Sequence, residues 1–122
     1  MNPPPGSCLL VAENEAGMMG FVSAGPARPE KDGMGEVYAI YLAQAAQRQG
    51  AGRALMRQAA RHLIDQGFRS MLLWVFKDNI PARKFYGALG GKYLREQPFD
   101  LGSQRLLEVA YGWNDLVNLT KE

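Results

Sequence analysis

The 122-residue chain holds one cysteine, Cys8, and one histidine, His62. A lone thiol excludes a disulfide framework within the chain, and the two residues together fall short of a zinc site of four nitrogen and sulfur ligands. A Ser-His-Asp or Cys-His device would have to use His62, which lies in the middle of a helical pattern beside an apolar stripe. No block of five basic residues occurs and the net charge is +2, so nucleic acid is not expected as a partner. No apolar stretch approaches the roughly 20 residues of a membrane span. The N-terminus, MNPPPGSCLLVAENEAG, lacks the basic n-region and long apolar run of a signal peptide. These absences lead to the expectation of a cytoplasmic protein with no metal site and no membrane contact. The length predicts a single domain, residues 1–122, with the Pro-rich residues 1–7 expected to fray.

What is present is a regular alternation of strand and helix signals. SCLLVA and MMGFVSAG read as two strands joined through the turn signal ENEAG. PARPEKDGMG is a loop dense in Pro, Gly and charge, and EVYAIYLA is a strand apolar enough for burial on both faces. In RALMRQAARHLIDQG, Leu55, Met56, Ala59, Ala60, Leu63 and Ile64 recur at helical spacing, opposite a row of Arg53, Arg57 and Arg61 that reads as a solvated face. Gly67 is placed to end that helix. SMLLWVF is a further buried strand. IPARKFYGAL is a short helix with Pro81 in its first turn, closed by Gly90 and Gly91. GKYLREQ and QRLLEVAYGW predict an antiparallel pair joined by PFDLGS. The order β, β, β, α, β, α, β, β predicts an α/β or α+β domain. Its central βαβ unit supplies one parallel, right-handed crossover and its flanking hairpins are antiparallel.

The segment QRQGAGRAL, residues 47–55, places Gly50 and Gly52 where the first helix begins, although glycine costs about 1 kcal/mol against alanine inside a helix. Two readings fit. A tight strand-to-helix turn needs glycine for φ > 0. A phosphate lying on the bare amides of a helix N-terminus needs the Cβ atoms gone. The nucleotide motifs do not decide between them. No Lys-Ser or Lys-Thr follows at P-loop spacing, and Leu55 stands where a dinucleotide fingerprint needs a third small residue.

A second stretch, NIPARKFYGALGG, opens on Asn79. Read with the glycine turn, the chain resembles the GNAT acetyltransferase superfamily over about residues 8–117. The family's phosphate motif, [QR]-x-x-G-x-[GA], stands here as Gln47-Arg48-Gln49-Gly50-Ala51-Gly52. Its second signature, N-x-x-A-x-x-[FL]-Y-x-x-x-G, is matched by Asn79, Ala82, Phe85, Tyr86 and Gly90. The resemblance implies a mixed, mostly antiparallel sheet with splayed parallel strands around the βαβ unit. It implies acetyl-CoA as cosubstrate, with the pyrophosphate on the amides from Gln47 to Arg53 (Gln47, Arg48, Gln49, Gly50, Ala51, Gly52, Arg53). It implies that the pantetheine arm pairs like a strand with Tyr41, Leu42 and Ala43, that Asn79 contacts the cofactor, and that Tyr86 protonates the departing thiolate. Glu36, 14 residues before Gly50, matches a glutamate that serves some members as general base.

Elementary chemistry is compatible with these roles. A thiolate whose thiol has a pKa of about 8.5 can take a proton from a phenol of pKa about 10 if the site favours transfer. A lysine-like amine of pKa about 10.4 is neutral only about once in 2500 molecules at pH 7, so holding it neutral costs about 4.6 kcal/mol. A base or water wire offsets part of that. Each candidate also has a plainer reading: Glu36 as a solvated strand end, Tyr86 as core filling, Asn79 as a helix N-cap. Phe99 and Asp100 fall in the last hairpin loop, which the resemblance puts near the acceptor.

Two features depart from the family pattern. Members usually carry a strand and two helices before the opening hairpin, whereas about seven residues precede it here. An aromatic residue usually follows the motif glycine, and here Gly91 does, which predicts looser packing under the helix. The leading expectation is an N-acetyltransferase acting on a primary amine of unknown identity by direct attack in a ternary complex, with a homodimer completing the acceptor wall. The alternative is a non-catalytic acyl-CoA-binding module.

Overall fold

The computed structural model describes residues 6–14, 17–27, 34–43 and 50–121. Its elements follow the predicted order with one addition: β1 (Cys8–Asn14), β2 (Gly17–Pro26), β3 (Met34–Leu42), α1 (Ala51–Asp65), β4 (Ser70–Phe76), α2 (Ile80–Ala88), β5 (Lys92–Leu101), β6 (Gln104–Trp113) and α3 (Leu116–Leu119). Six strands form one sheet in the order β1-β2-β3-β4-β6-β5. Among the described residues only the β3–β4 pair is parallel, as a right-handed βαβ crossover requires. The mixed α+β architecture expected from the sequence is the one observed.

The three helices share one face of the sheet. Leu55, Met56, Ala59, Ala60 and Leu63 of α1 pack on Val22, Ala24 and Val37 from β2 and β3. Tyr86 and Leu89 join Val109, Tyr111 and Trp113 of β6 in the same core. A Cβ on Gly52 would stand 3.1 Å from Phe85 Cζ, so a residue without a side chain lets α1 begin directly against α2. Both long helices close in a Schellman turn. Gly67 and Gly90, at φ 94 and 90, take the left-handed position. The amides of Phe68 and Gly91 return to Leu63 O (2.9 Å) and Tyr86 O (3.0 Å). No helix among the described residues is long and apolar enough to cross a membrane.

Two details differ from the sequence reading. The final hairpin turn is confined to Gly102 and Ser103, so Pro98, Phe99 and Asp100 lie within β5 rather than in a loop. Asp100 is ion-paired with Arg105 at 3.0 Å, which a two-residue turn permits by bringing the strand ends together. Helix α3 gave no periodic signal because it is four residues long. Asp115 caps it and Leu116, 1% exposed, ties it to the core.

Candidate active site

The decisive local feature is a β-bulge. Along β2–β3, Ser23 pairs with Ala39 but Ala24 pairs with Val37, which leaves Tyr38 as the extra residue. Val37 is also the last residue of β3 paired with β4, opposite Leu73. The bulge therefore bends β3 away from its parallel neighbour at the point where their ladder stops. Beyond it, Ala39 to Leu42 pair with β2 alone, and β4 continues alongside β6.

The wedge between them is a cleft of about 270 Å³. Its walls are β3 from Val37 to Ile40 and β4 from Leu73 to Phe76, with Asn79, Ala82 and Tyr86 of α2 at one side and Glu108 of β6 at the other. Two larger hollows, 380 and 660 Å³, lie at the C-terminal ends of α2 and α1 near Asn114 and Asp115, away from the bulge. The smaller cleft is the better site because it alone joins an open strand edge, a buried phenol and a carboxylate.

The open edge follows from the ladder. Ala43 N–H donates to Met19 O at 2.7 Å, and antiparallel backbone alternates in direction residue by residue. Tyr41 therefore faces β2 with its amide and carbonyl, and Ile40, which lines the cleft, turns its own toward it. An extended ligand can lie along this edge as an added strand.

Tyr86 is 7% exposed and lines the cleft. Phe85, Tyr111 and Trp113 surround its ring at centroid distances of 5.5, 6.3 and 6.4 Å. Burial pushes its phenol pKa up, so it stays protonated at neutral pH. The aromatic cluster is fastened by Arg83, whose Nε donates to Tyr111 Oη (3.1 Å) and whose Nη1 donates to Lys77 O (2.8 Å). Gly91 does not loosen this packing. A Cβ there would meet Trp113 Cζ2 at 2.7 Å, so the glycine makes room for an aromatic ring that comes from β6.

Asn79 is the N-cap of α2, its Oδ1 accepting from Ala82 N–H at 3.3 Å, and it also lines the cleft. Its plainer reading and its site reading thus coexist. Glu36 is not a solvated strand end: it is 5% exposed, facing away from the helices beside Leu72. It sits one residue before the apex of the wedge and is not part of the cleft wall.

At the other motif, Gln47, Arg48 and Gln49 lie outside the described residues. Gly50 has φ 80, and a Cβ there would meet nothing within 4 Å among the described residues. It is the N-cap of α1 with no side-chain cap, and no acidic residue follows in the first turn. By contrast, α2 and α3 are capped by Asn79 and Asp115. The amides of Ala51 and Gly52 at the start of α1 precede Ala54 N–H, which donates to Gly50 O at 3.0 Å, the first such bond of the helix among the described residues. An anion is the natural complement to such an end. The arginine row is less solvated than expected, since Arg53 and Arg57 are half-buried and only Arg61 is exposed.

His62 and Cys8 take no part. His62 Nε2 is 2.7 Å from Gly6 O, and burial raises the Cys8 thiol pKa, with a backbone hydrogen bond from Ala24 opposing weakly. Sequence reasoning missed Tyr38 and Glu108. Glu108 alternates with Leu107 and Val109, which shows that it faces away from them but not that its strand neighbours the wedge.

Comparison with known proteins agrees with this fold. The model of the acetyltransferase (GNAT) family matches residues 1–90. The uncharacterised N-acetyltransferase YuaI of Bacillus subtilis is 46% identical over 110 residues, 88% of this chain and 63% of the relative. A mycothiol acetyltransferase of Saccharomonospora viridis is 38% identical over 88 residues, 67% of this chain and 29% of the relative. The chain therefore spans under two thirds of the length of each. Among solved structures, nourseothricin acetyltransferase superposes with a TM-score of 0.79 at 23% identity over 88% of this chain and 65% of its own. YncA of Salmonella typhimurium, solved with its cofactor acetyl-CoA, gives 0.75 at 21% over 89% and 65%. At these identities the likeness is one of fold.

Proposed function

The chain belongs to the GNAT acetyltransferase family, and from that premise we propose that it transfers an acetyl group from acetyl-CoA to a primary amine by direct attack in a ternary complex. The observation that carries the reading is the wedge opened at the Tyr38 bulge. It joins an open strand edge to a buried phenol. In this reading the pyrophosphate lies on the α1 amides, including Gly50, Ala51, Gly52 and Arg53, with Gln47, Arg48 and Gln49 preceding them. The pantetheine arm runs along Tyr41, Leu42 and Ala43, and Asn79 steadies it.

Tyr86 delivers its proton to the sulfur as the C–S bond breaks. Glu36, set behind the apex, draws the proton from the attacking amine through water. A cleft of about 270 Å³ is below the roughly 300–1,000 Å³ of drug-sized ligand sites. It suits the reacting ends rather than the whole cofactor.

The same reading makes the protein cytoplasmic and dimeric. Leu9, Val11 and Tyr41 are exposed on the face opposite the helices, an apolar surface that a second copy would cover in a symmetric pair. Sedimentation at micromolar concentration reports the dimer directly.

The test of activity is release of free thiol from acetyl-CoA against a panel of primary amines. Amine-dependent release supports the transferase. Acetyl-CoA binding with no release for any amine reduces the chain to an acyl-CoA-binding module.

A further inference from the structure

Resting on the transferase reading, the site gains a chemical class of acceptor from one side chain. Glu108 lines the cleft on the side away from α2. Two strands meet it. Phe76 of β4 stands directly across from it, and Gln97 of β5 donates from Nε2 to its Oε1 at 2.6 Å. Among the described residues no ion pair engages it. The neighbouring carboxylates of β5, Glu96 and Asp100, alternate to the opposite face and are paired with Lys77 (3.1 Å) and Arg105 (3.0 Å). Arg95, on the same face as Glu108, stacks over Trp74 at 5.3 Å from the ring centroid. Glu108 thus presents a carboxylate steadied by a neutral amide, with its second oxygen uncommitted among the described residues, in the wall of a reaction cleft.

Its surroundings are aromatic. Phe76 and Phe99 meet edge to face at 5.6 Å and both are exposed, and Trp74 and Phe76 line the cleft itself. A single carboxylate flanked by aromatic rings favours one cationic head on an apolar body. A polyamine would need several carboxylates at intervals, and the carboxylates of β5 face the other way.

We propose that Glu108 docks the ammonium group of the acceptor, and that the acceptor is a monocationic amine carried on an apolar or aromatic body. The carboxylate receives charge-assisted hydrogen bonds from the ammonium, and the Phe76–Phe99 pair receives the body. Glu108 is half-buried, which keeps it accessible from solvent and moderates the strength of the contact.

The experiment is calorimetric titration of 2-phenylethylamine, spermidine and aniline into the protein with CoA present. This readout needs no turnover. Glu108→Gln preserves shape and the contact with Gln97. It should weaken 2-phenylethylamine about tenfold or more while leaving aniline, uncharged at neutral pH, within about twofold. Spermidine should bind the wild-type protein more weakly than 2-phenylethylamine. Tighter spermidine binding, no 2-phenylethylamine binding to the wild type, or equal losses for 2-phenylethylamine and aniline in the variant would each overturn the proposal. Binding as expected with no thiol release would sink the transferase reading and leave the docking site standing.

Discussion

Trp113 stands edge-on to Tyr86, with ring planes at 88° and centroids 6.4 Å apart, and its indole N–H donates to Leu89 O at 3.1 Å. One side chain of the sheet thus holds both the ring of the proposed acid and the end of the helix that carries it. Trp113→Ala should destabilise the domain by about 3–5 kcal/mol, the usual cost of emptying an aromatic core position. Trp113→Phe should cost about 1–3 kcal/mol, chiefly by leaving the Leu89 carbonyl without its buried donor. Gly91→Ala should cost a similar amount by overpacking, because its Cβ would lie 2.7 Å from the indole and 2.9 Å from Tyr86 O. Urea unfolding of the three variants measures all of this.

Tyr86→Phe separates chemistry from packing. The ring and its neighbours remain, so acetyl-CoA affinity should hold while kcat falls about 10²- to 10⁴-fold, the loss expected for a positioned acid. The pH response follows from the raised pKa. In the unfolded chain the phenol ionises near its ordinary value of about 10, whereas the buried phenol keeps its proton beyond that. Above pH of about 10 the folded state binds more protons. The stability associated with Tyr86 is therefore fully present below that pH and is lost as pH climbs through the raised value. The urea midpoint of Tyr86→Phe should fall less steeply in alkali than that of the wild type. Full activity in Tyr86→Phe would assign the acid to another group or to water.

For Glu36 the expected signature is in the pH profile. The residue is 5% exposed and outside the cleft wall, so any proton must reach it through water. Glu36→Gln should lower kcat/KM about 10²-fold at the acid end of the profile, where the amine is least often neutral. The deficit should shrink as pH approaches the amine's own pKa of about 10. A parallel shift of the whole profile, or none, would leave Glu36 as a buried structural carboxylate and give deprotonation to solvent.

Strand order and helix placement were legible because each is encoded locally. SMLLWVF and QRLLEVAYGW coincide with β4 and β6, and Gly67 and Gly90 mark the helix ends at left-handed backbone. The wedge was legible only through resemblance. A bulge at Tyr38 depends on how β2 and β3 register across a loop, and nothing in EVYAIYL marks the extra residue. Glu108 was hidden for a similar reason. Its role arises from β6 lying beside β4, a neighbour distant in sequence. The burial of Glu36 was misjudged because Leu72, which pairs with it, also belongs to a strand far along the chain.

The last prediction returns to the two glycines that open α1. They serve different ends, Gly50 by its φ of 80, Gly52 by its closeness to Phe85. Gly50→Asn should fold nearly as well as the wild type, since asparagine tolerates the left-handed region better than other side chains. Gly50→Asp carries a similar shape with a negative charge directly over the uncapped amides, where the helix end favours an anion. Aspartate should therefore fold about as well as asparagine, and it should occupy the position that the pyrophosphate requires. Acetyl-CoA at 100 times its Kd adds about 2.7 kcal/mol to the stability of a protein that binds it only when folded. Thermal melts should show that rise in the wild type, a reduced rise in Gly50→Asn and almost none in Gly50→Asp. Gly52→Ala should instead lose basal stability, because its Cβ presses on the Phe85 ring at 3.1 Å. Equal acetyl-CoA shifts in Gly50→Asp and the wild type would place the phosphates elsewhere and leave Gly50 a turn residue alone.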